Sequence, residues 1–299
     1  MFVIGETWFN FVMRVLITGG TGFIARNLFE QLKDKYNVIC LGRKKLNLLN
    51  FGRVLAYIKS NRFDVVIHTA TYDVAPKHSV KDPSKVLEYN LKMFFNLTRC
   101  KDYFGKMIYF GSGAEYCREN WKPRMRESYY DKYVPMDQYG FSKYLMTKHT
   151  QLSDNIYNLR LFGMFGKYDD WRTRLIPNVC YRAVMNLPIV IDQNKFYDFL
   201  DVNDLVKIVS WFIDNNPQEK VYNVCTGKAI AYKSLVEKII KISGKNLSFR
   251  IKNKALGREY SGDNDLLMKE LKGFEFIPID ESIKSLYDWY NQNKMKIFI

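Results

Sequence analysis

The stretch Arg14-Val-Leu-Ile-Thr-Gly-Gly-Thr-Gly-Phe-Ile-Ala25 constrains the fold more than any other. Val15, Leu16 and Ile17 form a short continuous apolar run, the pattern of a strand buried on both faces. Gly19, Gly20 and Gly22 follow at once, and residues 23–32 carry a helical apolar period. A strand that turns over glycines into a helix aims the helix's unpaired N–H groups at whatever lies above the turn. A diphosphate fits there, because residues without bulk let it approach the backbone. Ala25 takes the third small position and still allows close helix–strand contact. The turn is therefore expected to bind a dinucleotide through Gly19, Thr21, Gly22, Phe23 and Ile24. A Gly-rich turn of purely structural use is the alternative, and the flanking strand and helix weigh against it.

The elements that follow alternate. Residues 37–41 read as a second strand that ends at Gly42-Arg43-Lys44. In a dinucleotide-binding unit this end lies by the adenosine ribose, where an acidic residue selects NAD. Here Arg43, assisted by Lys44, is expected to hold the 2′-phosphate of NADP through its donor fork. NADP(H) is the preferred cofactor on this reading and NAD(H) the alternative; two ordinary surface cations are the other reading. Asn47 is expected at the adenine, with Leu48 packing nearby. Residues 55–61 read as a helix, and residues 64–70 as a strand whose ligand-facing end carries Thr69 and Ala70. Tyr72 and Asp73 are expected to border the nicotinamide or sugar pocket. Residues 86–104 read as one long helix. Asn90, early in it, is expected to support a lysine through backbone and water contacts, or else to make a local amide hydrogen bond.

Residues 106–112 form the next expected strand, residues 139–153 a helix, and residues 158–166 a strand and turn. This alternation specifies an α/β fold, a Rossmann-type doubly wound parallel sheet. Beyond Tyr168 the pattern loosens. Helices are expected at 179–185, 202–214, 232–242 and 282–290, short strands at 188–191 and 199–201, and a strand then a turn at 222–227. These pieces point to a smaller mixed α/β substrate-binding lobe. The expected organisation is an N-terminal extension at 1–12, a dinucleotide-binding lobe at 13–166, and a second lobe at 167–299 with elements crossing back to the first. Met13 stands just before the first strand, so residues 1–12 are expected to be a dispensable extension or the product of an upstream start.

The 299 residues suffice for a large core, and 47% of them are hydrophobic. No apolar run reaches membrane-spanning length, and residues 1–12 lack the pattern of a secretory signal. No membrane partner is expected. The net charge of +15 suits an anionic ligand. It would also suit nucleic acid, but no zinc finger, RNP-like sequence or basic tail is present, so none is expected. The five cysteines, at 40, 100, 117, 180 and 225, lie far apart with no CxxC pair. That spacing favours a reducing cytoplasm. Histidines occur only at 68, 78 and 149, so a His-rich metal centre is not expected and ordinary hydrogen-bonded or surface roles are.

Tyr139 and Lys143 stand four positions apart, on one helix face. Tyrosine transfers a proton once its neighbours tune it from an ordinary pKa near 10. A nearby ammonium favours phenolate, and the same lysine can hold the nicotinamide ribose. Ser112, at a neighbouring strand end, can orient a substrate oxygen and stabilise developing alkoxide. Such a Tyr/Lys pair alone is also common as plain structure.

Taken together, Thr18-Gly-Gly-Thr-Gly-Phe-Ile-Ala25, His68-Thr-Ala70, Ser112 before Tyr116, and Tyr139-Gly-Phe-Ser-Lys143 resemble the extended short-chain dehydrogenase/reductase family. The likeness is to its nucleotide-sugar reductases, epimerases and dehydratases. It continues through Leu161-Phe-Gly-Met-Phe-Gly166, Phe199-Leu-Asp-Val-Asn-Asp204 and Tyr222-Asn-Val-Cys-Thr-Gly227, and covers residues 13–290. The resemblance implies a catalytic set of Ser112, Tyr139 and Lys143, with Asn90 in support. It places Phe162 and Gly163 at the nicotinamide. Its substrate contacts fall on Tyr72, Ser112, Gly113, Ala114, Tyr139, Arg172, Arg174, Asn178 and Tyr197, with Arg258 at the diphosphate. It implies a nucleotide-diphosphate sugar as substrate and a homodimer paired through residues 86–104 and 139–153, although those apolar faces would equally serve an internal core.

Departures from the family pattern narrow the chemistry. Dehydratases of the family carry an Asp-Glu pair after the strand-end hydroxyl, where this chain has Gly113 and Ala114. Lys45-Leu-Asn-Leu-Leu-Asn50 resembles fucose-synthase-like 4-ketoreductases. Those enzymes epimerise with a Cys and a His, at positions held here by Ala114 and Arg174. Neither side chain exchanges protons near neutrality. Tyr197-Asp-Phe199 replaces a frequent Arg-Asp/Glu-Phe substrate motif, so specificity is expected to differ. The expectation is NADPH-dependent reduction of the C4 ketone of a nucleotide-linked 4-keto-6-deoxy sugar. The alternatives are a 4-epimerase that retains its NAD(P), and a non-catalytic NAD(P)-sensing protein.

Overall fold

The computed structural model describes residues 12–74 and 79–294. Most of the expected N-terminal extension, and His78, lie outside the described residues. In chain order the elements are β1 (Arg14–Thr18), α1 (Phe23–Leu32), β2 (Asn37–Leu41), α2 (Phe51–Asn61), β3 (Phe63–His68), α3 (Val86–Thr98) and β4 (Phe104–Ser112). Then follow α4 (Gln138–Gln151), β5 (Ile156–Leu161), β6 (Gly163–Phe165), α5 (Leu175–Val184), β7 (Ile189–Gln193), β8 (Phe196–Asp201) and α6 (Val202–Asp214). The chain closes with β9 (Val221–Val224), β10 (Ala229–Ala231), α7 (Tyr232–Ser243), β11 (Phe249–Asn253), α8 (Asp265–Glu270) and α9 (Ile279–Asn293).

Among the described residues six strands make one parallel sheet, in the order β2-β1-β3-β4-β5-β9. The apolar runs of β1, β3 and β4 are buried because helices cover both faces. On one face Leu28 and Leu32 of α1 pack with Val206 and Ile213 of α6. On the other, Val54 and Ile58 of α2 meet Phe94 and Leu97 of α3 and Met146 of α4. This is the doubly wound α/β architecture expected from the sequence. The smaller lobe holds a mixed sheet, β10-β8-β6, and a parallel pair of β7 and β11. Ile176 and Val179 of α5, Leu235 and Ile239 of α7, and Ile283 and Tyr290 of α9 form its own core.

The expected helix over 86–104 is too long. α3 ends at Thr98, where the Arg99 N–H bonds Phe95 O at 3.0 Å. Lys101–Tyr103 is a 3₁₀ turn, and Phe104 opens β4 opposite Phe63 of β3. One apolar run thus serves two elements with different partners, which periodicity cannot divide. α2 begins four residues earlier than expected, because Asn50 caps it by accepting from Arg53 N–H at 3.0 Å. α5 likewise begins at Leu175; Pro177 is tolerated because it falls in the first turn, where its missing N–H has no helical partner.

Candidate active site

The C-terminal ends of β1, β3, β4 and β5 open on a cleft of ≈ 520 Å³ between the sheet and the smaller lobe. Ligands of open parallel sheets bind at such strand ends. Gly19 stands at the end of β1 with φ +70°, and a Cβ there would lie 2.8 Å from Ala70 Cα and from Thr69 Oγ1. Only glycine meets both demands. The Gly22 N–H bonds Gly19 O at 2.8 Å, and Gly22 caps α1, whose first turn has no acidic residue. The positive end of α1 is therefore uncompensated. Gly22, Phe23, Ile24 and Thr69 line the cleft. Thr21 is exposed on the turn, which is tied to β2 by Gly20 N–H on Leu41 O at 2.9 Å. Arg43 and Lys44 follow β2, both exposed. Asn47 uses its Oδ1 locally, accepting from Leu49 N–H at 3.2 Å. Leu48 is buried in the core beneath the sheet, and Ala70 is partly buried against it. The glycine turn, the bare helix end and the two cations beyond β2 suit the diphosphate and adenosine ends of a dinucleotide.

Ser112, Tyr139 and Lys143 come together in the cleft. Asp137 caps α4 by accepting from Gly140 N–H at 2.8 Å. That fixes the turn carrying Tyr139, and Lys143 follows one turn on. Lys143 Nζ lies 5.9 Å from the Tyr139 ring centre and donates to Phe110 O at 2.8 Å. Burial pulls the ammonium down to about 8, against the pull of the Glu115 and Asp73 carboxylates. Tyr139 keeps part of its ring open to the cleft, but burial of its phenol end, and then Asp73, push it up to about 12. A hydrogen bond from Ser112 and the charges of Arg174 and Arg118 act the other way. At neutral pH Tyr139 is thus a protonated donor. His68 also lines the cleft; burial and then Lys143 hold it down to about 3, so it is neutral, with Nδ1 3.0 Å from Thr18 Oγ1. His149 packs on Phe94 and Phe95.

Asn90 makes local amide hydrogen bonds, the second of its two expected roles. Its Oδ1 accepts from Tyr72 N–H at 2.7 Å and its Nδ2 donates to Tyr72 O at 2.9 Å. The amide matches both backbone groups of one residue and so clamps the segment after β3. That clamp turns the Tyr72 ring onto Tyr89, at 5.0 Å, outside the cleft lining, and leaves Asp73 facing the cleft.

Beneath Ser112 lies a buried polar network that residue patterns do not reveal. Glu115 is 0% exposed and accepts from Ser112 N–H at 2.9 Å, Thr147 Oγ1 at 2.8 Å and Arg160 Nε at 2.8 Å. Arg160, also 0% exposed, reaches the Tyr116 hydroxyl and Asn223 Oδ1. Burial works against the guanidinium, and the Tyr116 ring and Glu115 outweigh it, raising its pKa. The one legible signal is Ser112-Gly-Ala-Glu115, a capping box that the 3₁₀ turn after β4 uses in full.

On the smaller-lobe side, Arg174 and Tyr197 line the cleft as expected positions, with Phe162 and Gly163 at its floor. The other expected substrate contacts lie elsewhere. Arg172 stacks on Trp171 at 4.5 Å, and Asn178 donates to Trp171 O at 2.9 Å. Arg258 donates to the carbonyls of Arg118 and Glu119, bracing that loop. Ala114 is 1% exposed and packed, and Gly113 lies under the ring of Tyr260. The cleft is completed by residues the sequence did not single out: Arg118, Trp121, Asp169, Tyr232 and Tyr260. They come from segments up to 142 positions apart (118 to 260), and proximity of that kind leaves no local pattern. Asp169 Oδ2 is buried with no hydrogen-bond partner; burial raises this acid to about 6, with Arg174 opposing.

All five cysteines are free thiols. Among the described residues no helix is long and apolar enough to cross a membrane, and no group of three His, Cys, Asp or Glu side chains is arranged to hold a metal ion.

A glycine turn feeding a helix, with a Ser/Tyr/Lys cluster at the neighbouring strand ends, defines the class. Residues 15–225 match the family model described as the NAD dependent epimerase/dehydratase family, and the chain belongs to that family. Among named relatives, GDP-L-colitose synthase of Yersinia pseudotuberculosis is 22% identical over 305 residues, spanning 94% of this chain and 99% of that protein. The UDP-glucose 4-epimerase of Thermotoga maritima superposes with a TM-score of 0.81 at 19% identity, over 94% of this chain and 100% of its own. The NADP-bound GDP-mannoheptose C4 reductase of Campylobacter jejuni does so with 0.80 at 19%, over 93% and 98%. At these identities the superpositions establish a shared fold.

Proposed function

We propose that this chain reduces the C4 ketone of a nucleotide-linked 4-keto-6-deoxy sugar with NADPH. The observation that carries the reading is the meeting of Ser112, Tyr139 and Lys143 in one cleft beside the glycine turn, with Lys143 Nζ 5.9 Å from the Tyr139 ring centre. Burial and then Asp73 push the Tyr139 phenol up to about 12, so it holds a proton to give to a nascent alkoxide. Gly113 and Ala114 supply no acid for elimination. One NADP-bound C4 reductase is among the superposable structures, alongside UDP-glucose 4-epimerases.

Gly19, Gly22, Phe23 and Ile24 would hold NADPH over the glycine turn, and the bound cofactor would supply hydride for the carbonyl carbon. Tyr139 delivers its proton to the carbonyl oxygen, and Ser112 orients that oxygen. Lys143 stabilises the resulting phenolate and offers a donor to the cofactor ribose. Arg43 and Lys44 hold the 2′-phosphate, and Arg174 and Tyr197 face the substrate. Fixing the nucleotide end positions the ketone and lowers the entropic part of the barrier. A homodimer through α3 and α4 belongs to the same reading: Leu87, Leu91, Met93 and Phe95 keep half-exposed apolar surface on α3.

The test is incubation with NADPH and a panel of nucleotide-linked 4-keto-6-deoxy sugars, with the products read by NMR. Stoichiometric NADPH oxidation with a new C4 hydroxyl is expected. Interconversion of 4-hydroxy sugars without net cofactor consumption would replace the reading with a 4-epimerase. Saturable cofactor binding without turnover would leave a sensor.

A further inference from the structure

The end of β4 is met by a side chain that arrives from the far end of the sequence. Tyr260 lines the cleft beside Ser112 and is 6% exposed. Its backbone is locked to β8: Tyr260 N–H donates to Phe196 O at 2.8 Å, and Asp198 N–H donates to Tyr260 O at 3.0 Å. Its ring is held between Trp121, with centroids 4.1 Å apart, and Phe162 and Tyr197, each at 5.0 Å. Trp121 is itself anchored, donating Nε1 to Gly113 O at 3.0 Å. The phenol therefore has little positional freedom, as a group acting on a reacting atom must.

Gly113 shows how close this phenol comes. A Cβ built there would stand 2.6 Å from the Tyr260 hydroxyl oxygen and 2.7 Å from ring atom Cε2. The space beside Ser112 that a side chain at 113 would fill is taken by Tyr260. Ser112 lines the same cleft as the two phenols, Tyr139 and Tyr260, and acts on both in one direction, against the rise that burial gives them. The other contact of the Tyr260 hydroxyl, to Leu161 O, is 3.5 Å long, the outer limit for a hydrogen bond. Its proton is therefore weakly committed and free to turn toward the cleft.

We propose that Tyr260 is a second phenolic donor of the reaction centre, sharing the Ser112 hydroxyl with Tyr139 and donating a hydrogen bond to the substrate's carbonyl oxygen. The inference rests on the ketone-reduction reading. Tyr260 keeps its proton throughout; the proton that becomes the product hydroxyl is that of Tyr139. Burial raises the pKa of both phenols, which keeps both as donors at neutral pH. Two rigid donors aimed at one developing oxyanion lower the barrier in the manner of an oxyanion hole.

The test is Tyr260→Phe, which keeps the ring over Gly113 and removes only the hydroxyl. Tyrosine labelled with carbon-13 at Cζ reports the phenols, and Tyr139→Phe assigns the Tyr139 signal. With the hydroxyl gone, the Tyr139 resonance is expected to shift and its titration midpoint to move. The kcat for ketone reduction is expected to fall about 10- to 100-fold, with NADPH binding and thermal midpoint unchanged. An unmoved Tyr139 signal, or a kcat within about twofold of the parent, would overturn the inference. If the parent protein reduces none of the sugars, the reductase reading falls, and the Tyr139 signal alone decides whether the two phenols share Ser112.

Discussion

Glu115→Gln tests whether the buried pair under the end of β4 holds the cleft together. The carboxylate collects hydrogen bonds from β4 (Ser112 N–H), α4 (Thr147) and β5 (Arg160, Asn158), and all but Ser112 are buried. Arg160 Nη2 already has no hydrogen-bond partner. Neutralising Glu115 therefore leaves a buried guanidinium without its counter-charge, and breaking such a pair costs about 3–5 kcal/mol. Against a typical net stability of about 5–15 kcal/mol, that is a large share. Urea unfolding followed by circular dichroism should show a lower midpoint at unchanged slope. Replacing both partners, Glu115→Leu with Arg160→Met, removes the stranded charge; its loss should be smaller than the sum of the single losses by more than about 1 kcal/mol. Because Glu115 also supports the Lys143 ammonium, the Gln variant should lose activity at a lower pH than the parent. A Gln variant destabilised by less than about 1 kcal/mol, with additive single losses, would refute the reasoning.

Three further outcomes follow from the same geometry. Lys143 is charged below about 8, so kcat/KM for reduction should decline as pH rises through about 8. Its folded pKa lies below the ordinary 10.5, so its burial cost is relieved, and stability rises, between those two values; a rate profile flat from pH 7 to about 9 would exclude the assignment. Asp169 is raised from 3.8 to about 6, so the folded state holds the extra proton in that window and stability falls as pH rises across it. The full displacement corresponds to about 3 kcal/mol, reduced here by partial solvent contact, so Asp169→Asn should gain about 1–3 kcal/mol above pH 6 and nothing near pH 3, read as the pH dependence of the thermal midpoint. Arg43→Ala should raise the KM for NADPH about 10- to 100-fold while leaving that for NADH within about twofold, as loss of a charge-assisted bond to phosphate requires; equal effects on both cofactors would place Arg43 away from the 2′-phosphate.

Much of the first lobe was legible because its signals are local. Val15 to Ile17 must be buried, Gly19 must take a conformation others avoid, and Tyr139 and Lys143 share a face wherever α4 forms. The boundary inside residues 86–104 was not legible, since Phe104 is apolar for a strand partner, Phe63, and not for the helix before it. Asn90, Asn178 and Arg258 each donate to a nearby backbone carbonyl, and Arg172 stacks on the ring of Trp171. Such choices are made among competing partners within reach, and sequence spacing does not rank them.

By itself the sequence determined the parallel sheet, the glycine turn, and the Ser112, Tyr139 and Lys143 side chains at the ends of their elements, because periodicity and backbone sterics act over a few residues. Only the tertiary structure decided what surrounds them. It turned Asp73 rather than Tyr72 into the cleft, set Glu115 against Arg160, and brought Tyr260 over Gly113. Those pairings are 45 and 147 positions apart in the chain (115 to 160, and 113 to 260): the first is made by the pairing of β4 with β5, the second by the return of the smaller lobe to the end of β4, and buried polar groups in both must find partners.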